Sequence, residues 1–301
     1  MHYGLDIGGT KIEIAIFDKD FNIQSTHRTP TPTQDYSDFL NTVKELINHA
    51  DQENNTTGTI GIGIPGALDA TTGQVLTSNI PCTSGKLLKQ DLETVLQRPV
   101  AIENDCRCFT YSEAIGGSAH DQPRVFGAIL GTGLGGAFCI NQSIYSGAQR
   151  VSGEWGHTPI AATIQQKYQL PLLQCGCGLS GCNELYISGP GLARLYRLYG
   201  GEDLTTPDII GRYRQGENTA VTAFSTFIDM TAAAMANLVF TFDPNAIVIG
   251  GGLSQVPELY KQLPDAMKPY LFGNLVPPAI LAPEFGDSGG VRGAAILGAS
   301  A

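Results

Sequence analysis

The sequence DIGGTK, residues 6–11, decides the architecture of this chain, because it places a glycine turn between two strand-like stretches. Residues 3–5 form the start of the first stretch, and residues 11–16 alternate with the period of two that marks a half-buried strand. Gly8 and Gly9 have no Cβ, so the backbone can approach another molecule closely. Successive N–H groups in such a turn can bind phosphate oxygens, and Thr10 adds a hydroxyl donor. A plain hairpin is the alternative.

Asp6 ends the first of these strands and could face a metal ion carried by the phosphate. A second copy of the pattern supports the phosphate-binding interpretation over a plain hairpin. Residues 126–130 read as a strand, 131–136 as the turn GTGLGG, and 137–140 as another strand. Two such hairpins in separate halves of the chain indicate a duplicated architecture that binds a polyphosphate from both sides. Neither matches GxxxxGK[ST] or a helix-opening GxGxxG, so P-loop and Rossmann interpretations fit poorly.

The composition is that of an ordinary globular protein, with 42% hydrophobic and 15% charged residues. A length of 301 residues predicts about two domains. The net charge of −10 disfavours a nucleic-acid partner. No apolar run approaches the roughly 18 residues that span a bilayer, so we expect no membrane association and a cytoplasmic location. Seven cysteines, an odd number, favour reduced thiols and a metal site.

A candidate catalytic carboxylate follows a short strand. Residues 99–102 read as a strand that delivers Glu103, Asn104 and Asp105 to the start of a helix. An Asn-Asp pair there commonly caps the helix. At the carboxyl end of a strand between two phosphate turns, however, Asp105 is also a credible general base.

Three cysteines, at positions 175, 177 and 182, form the pattern C-x-C-x₄-C among close glycines. With one histidine they would complete a closed tetrahedral zinc site. Unrelated buried thiols are the alternative.

Two further stretches are candidate ligand contacts. Residues 246–249 read as a buried strand that opens into Gly250, Gly251 and Gly252, where an adenine or ribose could lie on the backbone; a tight strand-to-helix turn would use the same glycines. The polar loop at residues 77–86 is a candidate substrate loop.

Taken together, these segments resemble the ROK family of bacterial sugar kinases and regulators, within the superfamily of sugar kinases, heat-shock ATPases and actin. The resemblance covers nearly the whole chain and includes residues 6–11, 63–66, 103–105, 131–136, 153–157, 175–184, 250–254 and 286–293. One departure is Cys106-Arg107 after Asp105, where the family more often has Ala-Asn. That departure puts the local packing of the helix in doubt.

The resemblance implies an α/β fold of two actin-like (ribonuclease-H-like) domains with an interdomain cleft. One domain would span residues 1–118, completed by the C-terminal helix at 290–301, and the other residues 119–289 with the zinc motif. It also implies ATP with Mg²⁺ and a structural Zn²⁺. The base would be Asp105. The expected ATP and phosphate contacts are Asp6, Gly8, Gly9, Thr10, Lys11, Thr132, Gly133, Leu134, Gly135, Gly136, Gly251 and Gly252. The expected sugar contacts are Gly66, Ser78, Asn79, Asn104, Asp105, Glu154, His157 and Glu184. The expected zinc ligands are His157, Cys175, Cys177 and Cys182.

The reaction expected from the resemblance is ATP-dependent phosphorylation of the 6-hydroxyl of N-acetyl-D-glucosamine. A kinase for glucose, fructose or N-acetylmannosamine is an alternative. A sugar-sensing regulator is a second one, which the absence of an N-terminal helix-turn-helix and the acidic charge disfavour. The expected partners are the sugar and ATP, and the sequence leaves open whether the protein forms a homodimer.

Overall fold

The computed structural model describes Met1–Thr77 and Asn79–Ala301, so Ser78, an expected sugar contact, lies outside the described residues. The fold is α/β, as predicted. In chain order the strands are β1 (His2–Ile7), β2 (Lys11–Phe17), β3 (Ile23–Pro30), β4 (Thr59–Ile64), β5 (Ala67–Leu68), β6 (Val75–Leu76), β7 (Val100–Asn104), β8 (Arg124–Leu130), β9 (Leu134–Ile140), β10 (Ser143–Tyr145), β11 (Ala246–Gly250) and β12 (Ala279–Leu281). The α-helices are α1 (Tyr36–Asn54), α2 (Leu88–Leu96), α3 (Asp105–Gly116), α4 (Ala162–Tyr168), α5 (Glu184–Ile187), α6 (Gly189–Leu198), α7 (Thr206–Arg214), α8 (Asn218–Phe242), α9 (Pro257–Met267) and α10 (Gly289–Ala299).

The first mixed sheet has the strand order β3-β2-β1-β4-β7. Strands β1, β2 and β3 pair antiparallel, whereas β1, β4 and β7 pair parallel. The predicted hairpin at residues 6–11 is confirmed: Asp6 pairs with Glu13, and the N–H of Gly8 donates to the carbonyl of Lys11 at 2.9 Å. Parallel pairing of β1, β4 and β7 brings their carboxyl ends to one edge, where Asp6 and Asn104 lie.

Two glycines in this sheet make room for the last helix. A Cβ on Gly4 would lie 1.8 Å from the carbonyl oxygen of Val291, and one on Gly61 would lie 1.7 Å from that of Ala294. Helix α10 therefore packs directly against the backbone of β1 and β4, and it also contacts α3. This packing fixes the last helix beneath the strands that end at the predicted site.

The second mixed sheet has the order β10-β9-β8-β11-β12. Strands β8, β11 and β12 pair parallel, and β9 and β10 antiparallel. Along the described chain, one helix, α8, is long and apolar enough to cross a membrane, but 78% of its apolar window is buried inside the protein. The helix ends at Asp243, which adopts a left-handed conformation with φ 45°. We therefore regard α8 as a core helix.

The chain forms two compact units. Unit 1 comprises Met1–His120, Ala137–Ser152 and Glu284–Ala301, and unit 2 comprises Asp121–Gly136 and Gly153–Pro283. The turn at residues 6–11 therefore belongs to unit 1, and the turn at 131–136 to unit 2. The domain limits expected from the sequence stay a prediction.

Candidate active site

The turn from β7 into α3 fixes the position of Asp105. The side chain of Asn104 caps α3 by accepting from the N–H of Arg107 at 3.3 Å, and its amide donates to the carbonyl of Gly66 at 2.8 Å. The Oδ1 atom of Asp105 accepts from the N–H of Cys106 at 2.8 Å. Because Asn104 supplies the cap, the carboxylate of Asp105 is not needed for that purpose.

Asp6 and Asp105 influence each other electrostatically within unit 1. Burial, together with the charges of Asp105 and Glu13, raises the pKa of Asp6 to about 6, and the charge of Lys11 opposes that increase. Burial likewise raises the pKa of Asp105, against the hydrogen bonds from Cys106 that lower it. Raised carboxyl pKa values are a frequent sign of a functional site, and paired carboxylates suit both a divalent cation and a general base.

Asn79 lies against the first glycine turn. A Cβ on Gly9 would lie 2.7 Å from the carbonyl oxygen of Asn79, so only glycine permits this approach. Gly66 has a φ of 98°, and a Cβ there would meet the carbonyl oxygen of Leu76 at 2.2 Å. The structure thus brings the predicted contacts Gly9, Asn79, Gly66 and Asn104 together in unit 1 with Asp6 and Asp105.

In unit 2, Glu184 lies on the second glycine turn. Its Oε2 atom accepts from the N–H of Leu134 at 3.1 Å, and a Cβ on Gly133 would lie 2.6 Å from the same oxygen. Within the turn, the N–H of Gly131 donates to the carbonyl of Gly133 at 3.0 Å. Glu184, which follows the cysteine pattern by two positions, is therefore held against the predicted phosphate turn.

The sequence prediction missed the part played by Trp155. This residue, the only tryptophan in the chain, is buried, and its indole N–H donates to the carbonyl of Gly135 at 2.7 Å. The adjacent Gly156 packs on the turn too, since a Cβ there would lie 2.0 Å from the carbonyl oxygen of Leu134. The single tryptophan among glycines at residues 153–157 was the available signal. Its contact places Glu154 and His157 beside the second turn.

A cavity of about 470 Å³ adjoins this turn within unit 2, a size typical of small-molecule sites. It is lined by Gly131, Thr132, Gly189, Pro190, Thr206, Pro207, Ile210, Arg214, Gly252, Leu253, Gln255 and Val256. Gly251 has a φ of 76°, and a Cβ there would lie 2.6 Å from the carbonyl oxygen of Leu130. The predicted residues Thr132 and Gly252 line the cavity, whereas its apolar wall from α6 and α7 was not predicted.

The four predicted metal ligands converge in unit 2. Ligand atoms of His157, Cys175, Cys177 and Cys182 all lie within 4.8 Å of one another. The Sγ atoms of Cys177 and Cys182 are 3.6 Å apart, and Cys175 Sγ is 3.8 Å from His157 Nδ1. A tetrahedral zinc ion with Zn–S bonds of about 2.3 Å requires ligand separations of ~3.8 Å. The donor set and its spacing therefore fit zinc.

The ROK family profile matches residues 2–300. The chain belongs to the ROK family. It is 47% identical over 298 residues to an N-acetylgalactosamine kinase of Shewanella sp. (strain ANA-3), covering 99% of this chain and 96% of that protein. It is 44% identical over 299 residues to an N-acetyl-D-glucosamine kinase of Vibrio parahaemolyticus, covering 99% of both. By these comparisons the chain is a ROK-family sugar kinase.

Solved ROK structures share the fold. A ROK hexokinase from Thermus thermophilus is similar with a TM-score of 0.86 and 28% identity, over 98% of this chain and 97% of that one. A ROK-family glucokinase from Streptomyces griseus, solved in complex with glucose and AMPPNP, has a TM-score of 0.78 and 28% identity, over 100% of this chain and 99% of that one. The predicted ROK membership and fold class are thus confirmed.

Proposed function

We propose that this protein transfers the γ-phosphoryl group of ATP to the 6-hydroxyl of N-acetyl-D-glucosamine, giving N-acetyl-D-glucosamine 6-phosphate and ADP. The observation that carries the proposal is the Asp105 carboxylate, which the cap of α3 leaves available and whose pKa burial raises. In this role Asp105 accepts the proton of the hydroxyl as that oxygen attacks phosphorus. Phosphoryl transfer needs little other covalent chemistry from a protein, so positioning and charge stabilisation supply the rest.

In unit 1 the glycine turn at residues 8–11 would bind phosphate oxygens, and in unit 2 the turn at residues 132–136 would do the same. Backbone N–H groups of such turns bind phosphate oxygens without side-chain interference. Asp6 would hold Mg²⁺, which neutralises charge that develops on the phosphate oxygens. The nucleoside would occupy the cavity beside Gly251 and Gly252, whose apolar wall suits a base and whose backbone suits a ribose.

Asn104 and Glu184, two of the residues that would bind the sugar hydroxyls and the acetamido group, already have a fixed orientation. The amide of Asn104 is set by its hydrogen bonds to the backbone of Gly66 and Arg107. Glu184 is set by its bond from Leu134. The remaining proposed contacts are Gly66, Ser78, Asn79, Glu154 and His157. A site that hydrogen-bonds the acetamido group disfavours a sugar that lacks it, because buried polar groups then lose their partners.

Zinc, when bound, would act as a structural cross-link without a vacant position for substrate. Glu184 follows Cys182 by two positions, and its Oε1 atom lies 4.0 Å from Cys175 Sγ. The four ligands would therefore hold the segment that leads into Glu184, the first residue of α5, and loss of that order would weaken sugar binding.

N-acetyl-D-galactosamine is the second candidate substrate, and the specific observation in its favour is the 47% identity to the Shewanella enzyme. The two sugars differ only in the configuration of the 4-hydroxyl. Discrimination between them therefore rests on whichever side chain binds that hydroxyl.

The test is a coupled ADP-release assay over N-acetylglucosamine, N-acetylgalactosamine, N-acetylmannosamine, glucose and fructose. We expect the highest kcat/KM for N-acetylglucosamine. A higher value for its 4-epimer would change the sugar and leave the reaction class intact, whereas a higher value for glucose or fructose would overturn the hexosamine assignment. The control is Asp105→Asn protein purified in parallel, which reports contaminating kinases.

A further inference from the structure

Arg107, the departure from the family pattern noted above, is a buried cation next to the proposed base. Its side chain is 3% exposed, and it lies on the first turn of α3, two positions after Asp105. A buried guanidinium is tolerated only when its charge and its N–H groups are paired. The partners of Arg107 therefore show what this residue holds together.

Arg107 uses the two arms of its guanidinium on two different segments of unit 1. Nη1 donates to Glu103 Oε1 at 2.9 Å, and Nη2 donates to the carbonyl of Arg150 at 2.6 Å. The Nη2 atom of Arg150 donates in turn to the other carboxylate oxygen of Glu103, Oε2. The result is a closed cluster of two guanidiniums around one carboxylate, a charge-assisted arrangement with fixed geometry.

The cluster spans Asp105 on both sides, since Glu103 precedes it by two positions and Arg107 follows it by two. At its other end the cluster holds Arg150, whose φ of 56° lies in the left-handed region that a residue with a side chain rarely adopts. Four positions after Arg150 comes Glu154, a proposed sugar contact. The contacts of Arg107 thus join, within unit 1, the turn that carries the proposed base to the segment of residues 147–152.

We propose that Arg107 is a positioning residue that fixes the Asp105 turn relative to residues 147–152, and so sets the geometry between the proposed base and the sugar. The proposal rests on the proposed function. The positioning role requires a guanidinium, because its two arms donate to two acceptors, whereas a lysine ammonium is a single point charge on a flexible stem. Small displacements of a reacting group are expected to lower kcat more than they weaken nucleotide binding.

The experiment compares Arg107→Met and Arg107→Lys with a matched control, Arg292→Met. Arg292 is also a buried arginine bonded to α3: it donates to the carbonyl of Ser112 at 3.0 Å, and it stacks on Phe285 at 4.1 Å. Its loss should lower the melting temperature as the loss of any buried arginine does, without moving Asp105. For Arg107→Met we expect kcat to fall ~10- to 100-fold, with an unchanged ATP KM and with partial recovery in Arg107→Lys.

A kcat for Arg107→Met equal to that of the wild type, or an equal kcat loss in Arg292→Met, would overturn the proposal. If Arg107→Met does not fold, Arg150→Ala replaces it, because that side chain is 27% exposed and tolerates truncation better. A lower kcat in Arg150→Ala supports the proposal and an unchanged one refutes it.

Hydrogen exchange separates this inference from the proposed function. Wild-type protein that phosphorylates no sugar would refute the proposed function, and hydrogen exchange would still test the positioning role of Arg107. We then expect faster exchange across residues 147–152 in Arg107→Met and wild-type exchange there in Arg292→Met. Equal exchange rates in both variants would refute the positioning role of Arg107.

Discussion

Replacing Asp6 by asparagine should make the protein more stable while it lowers activity. The side chain ends β1 inside unit 1, where burial and the charges of Asp105 and Glu13 raise its pKa from the ordinary 3.8 to about 6. The ionised carboxylate is therefore less stable in the folded protein than in the unfolded chain. Asparagine keeps the shape of the side chain and removes that charge.

The size of the effect depends on pH in a defined way. A carboxyl pKa that is higher in the folded state lowers stability once the group is ionised, fully above pH ~6 and not at all below pH ~4. An increase of about two in the pKa corresponds to ~3 kcal/mol. Because Asp6 remains partly exposed to solvent, which screens the interaction, we expect about 1–2 kcal/mol. The gain in Asp6→Asn should be largest above pH 7 and about half as large at pH 5.

The assay is urea unfolding at pH 7.5 and pH 5.0 in buffer without magnesium or nucleotide. Far-UV circular dichroism should be followed, because the single tryptophan, Trp155, lies in unit 2 and Asp6 in unit 1. Asp18→Asn is the matched control: hydrogen bonds from Asn22 lower the pKa of Asp18, so its loss should not stabilise the protein at pH 7.5. Equal unfolding free energies for Asp6→Asn and wild type at pH 7.5, or a gain that does not shrink at pH 5, would refute the reasoning. In the same variant, loss of the proposed Mg²⁺ ligand should lower turnover at least ~10-fold.

Asp105→Asn should reduce kcat at least ~100-fold with sugar binding retained, because a positioned base contributes that much; a near-normal kcat in stopped-flow and steady-state assays would exclude Asp105 as the base. Cys177→Ser should lose zinc by elemental analysis, melt at a lower temperature and raise the sugar KM more than the ATP KM, whereas Cys82→Ser should keep its zinc. Zinc-free wild type with full activity, or a selective loss of ATP binding, would contradict the cross-link. Gly61→Ala should fail to give soluble folded protein, since its Cβ would lie 1.7 Å from the carbonyl oxygen of Ala294; an unchanged melting temperature would show that α10 can move away.

Local signals in the sequence were sufficient for the elements that local physics determines. The hairpin at residues 6–11 follows from two glycines between alternating stretches, and the start of α1 follows from Asp35, whose carboxylate accepts from the N–H of Asp38 at 2.9 Å. The long apolar run that ends at Asp243 leaves little choice but a helix for α8. The spacing of the cysteines indicated one shared ligand cluster, and the structure brings those sulfurs together.

Contacts between distant segments could not be predicted, because no local pattern encodes them. The bond between Glu184 and Leu134 joins residues 50 positions apart. Gly61 looked like an ordinary strand glycine until α10 was placed on it. The burial of Arg107 depends in part on the carbonyl of Arg150, which lies 43 positions further along the chain.

The most direct test of the central claim is the identity of the product. Wild-type protein should be incubated with ATP, Mg²⁺ and N-acetylglucosamine, and the product examined by ¹H–³¹P correlation NMR, with ADP measured in the same sample. We predict one phosphate, coupled to the two protons on C6, in amounts equal to the ADP released. Phosphate on C1, or ADP release without a sugar phosphate, would contradict the account.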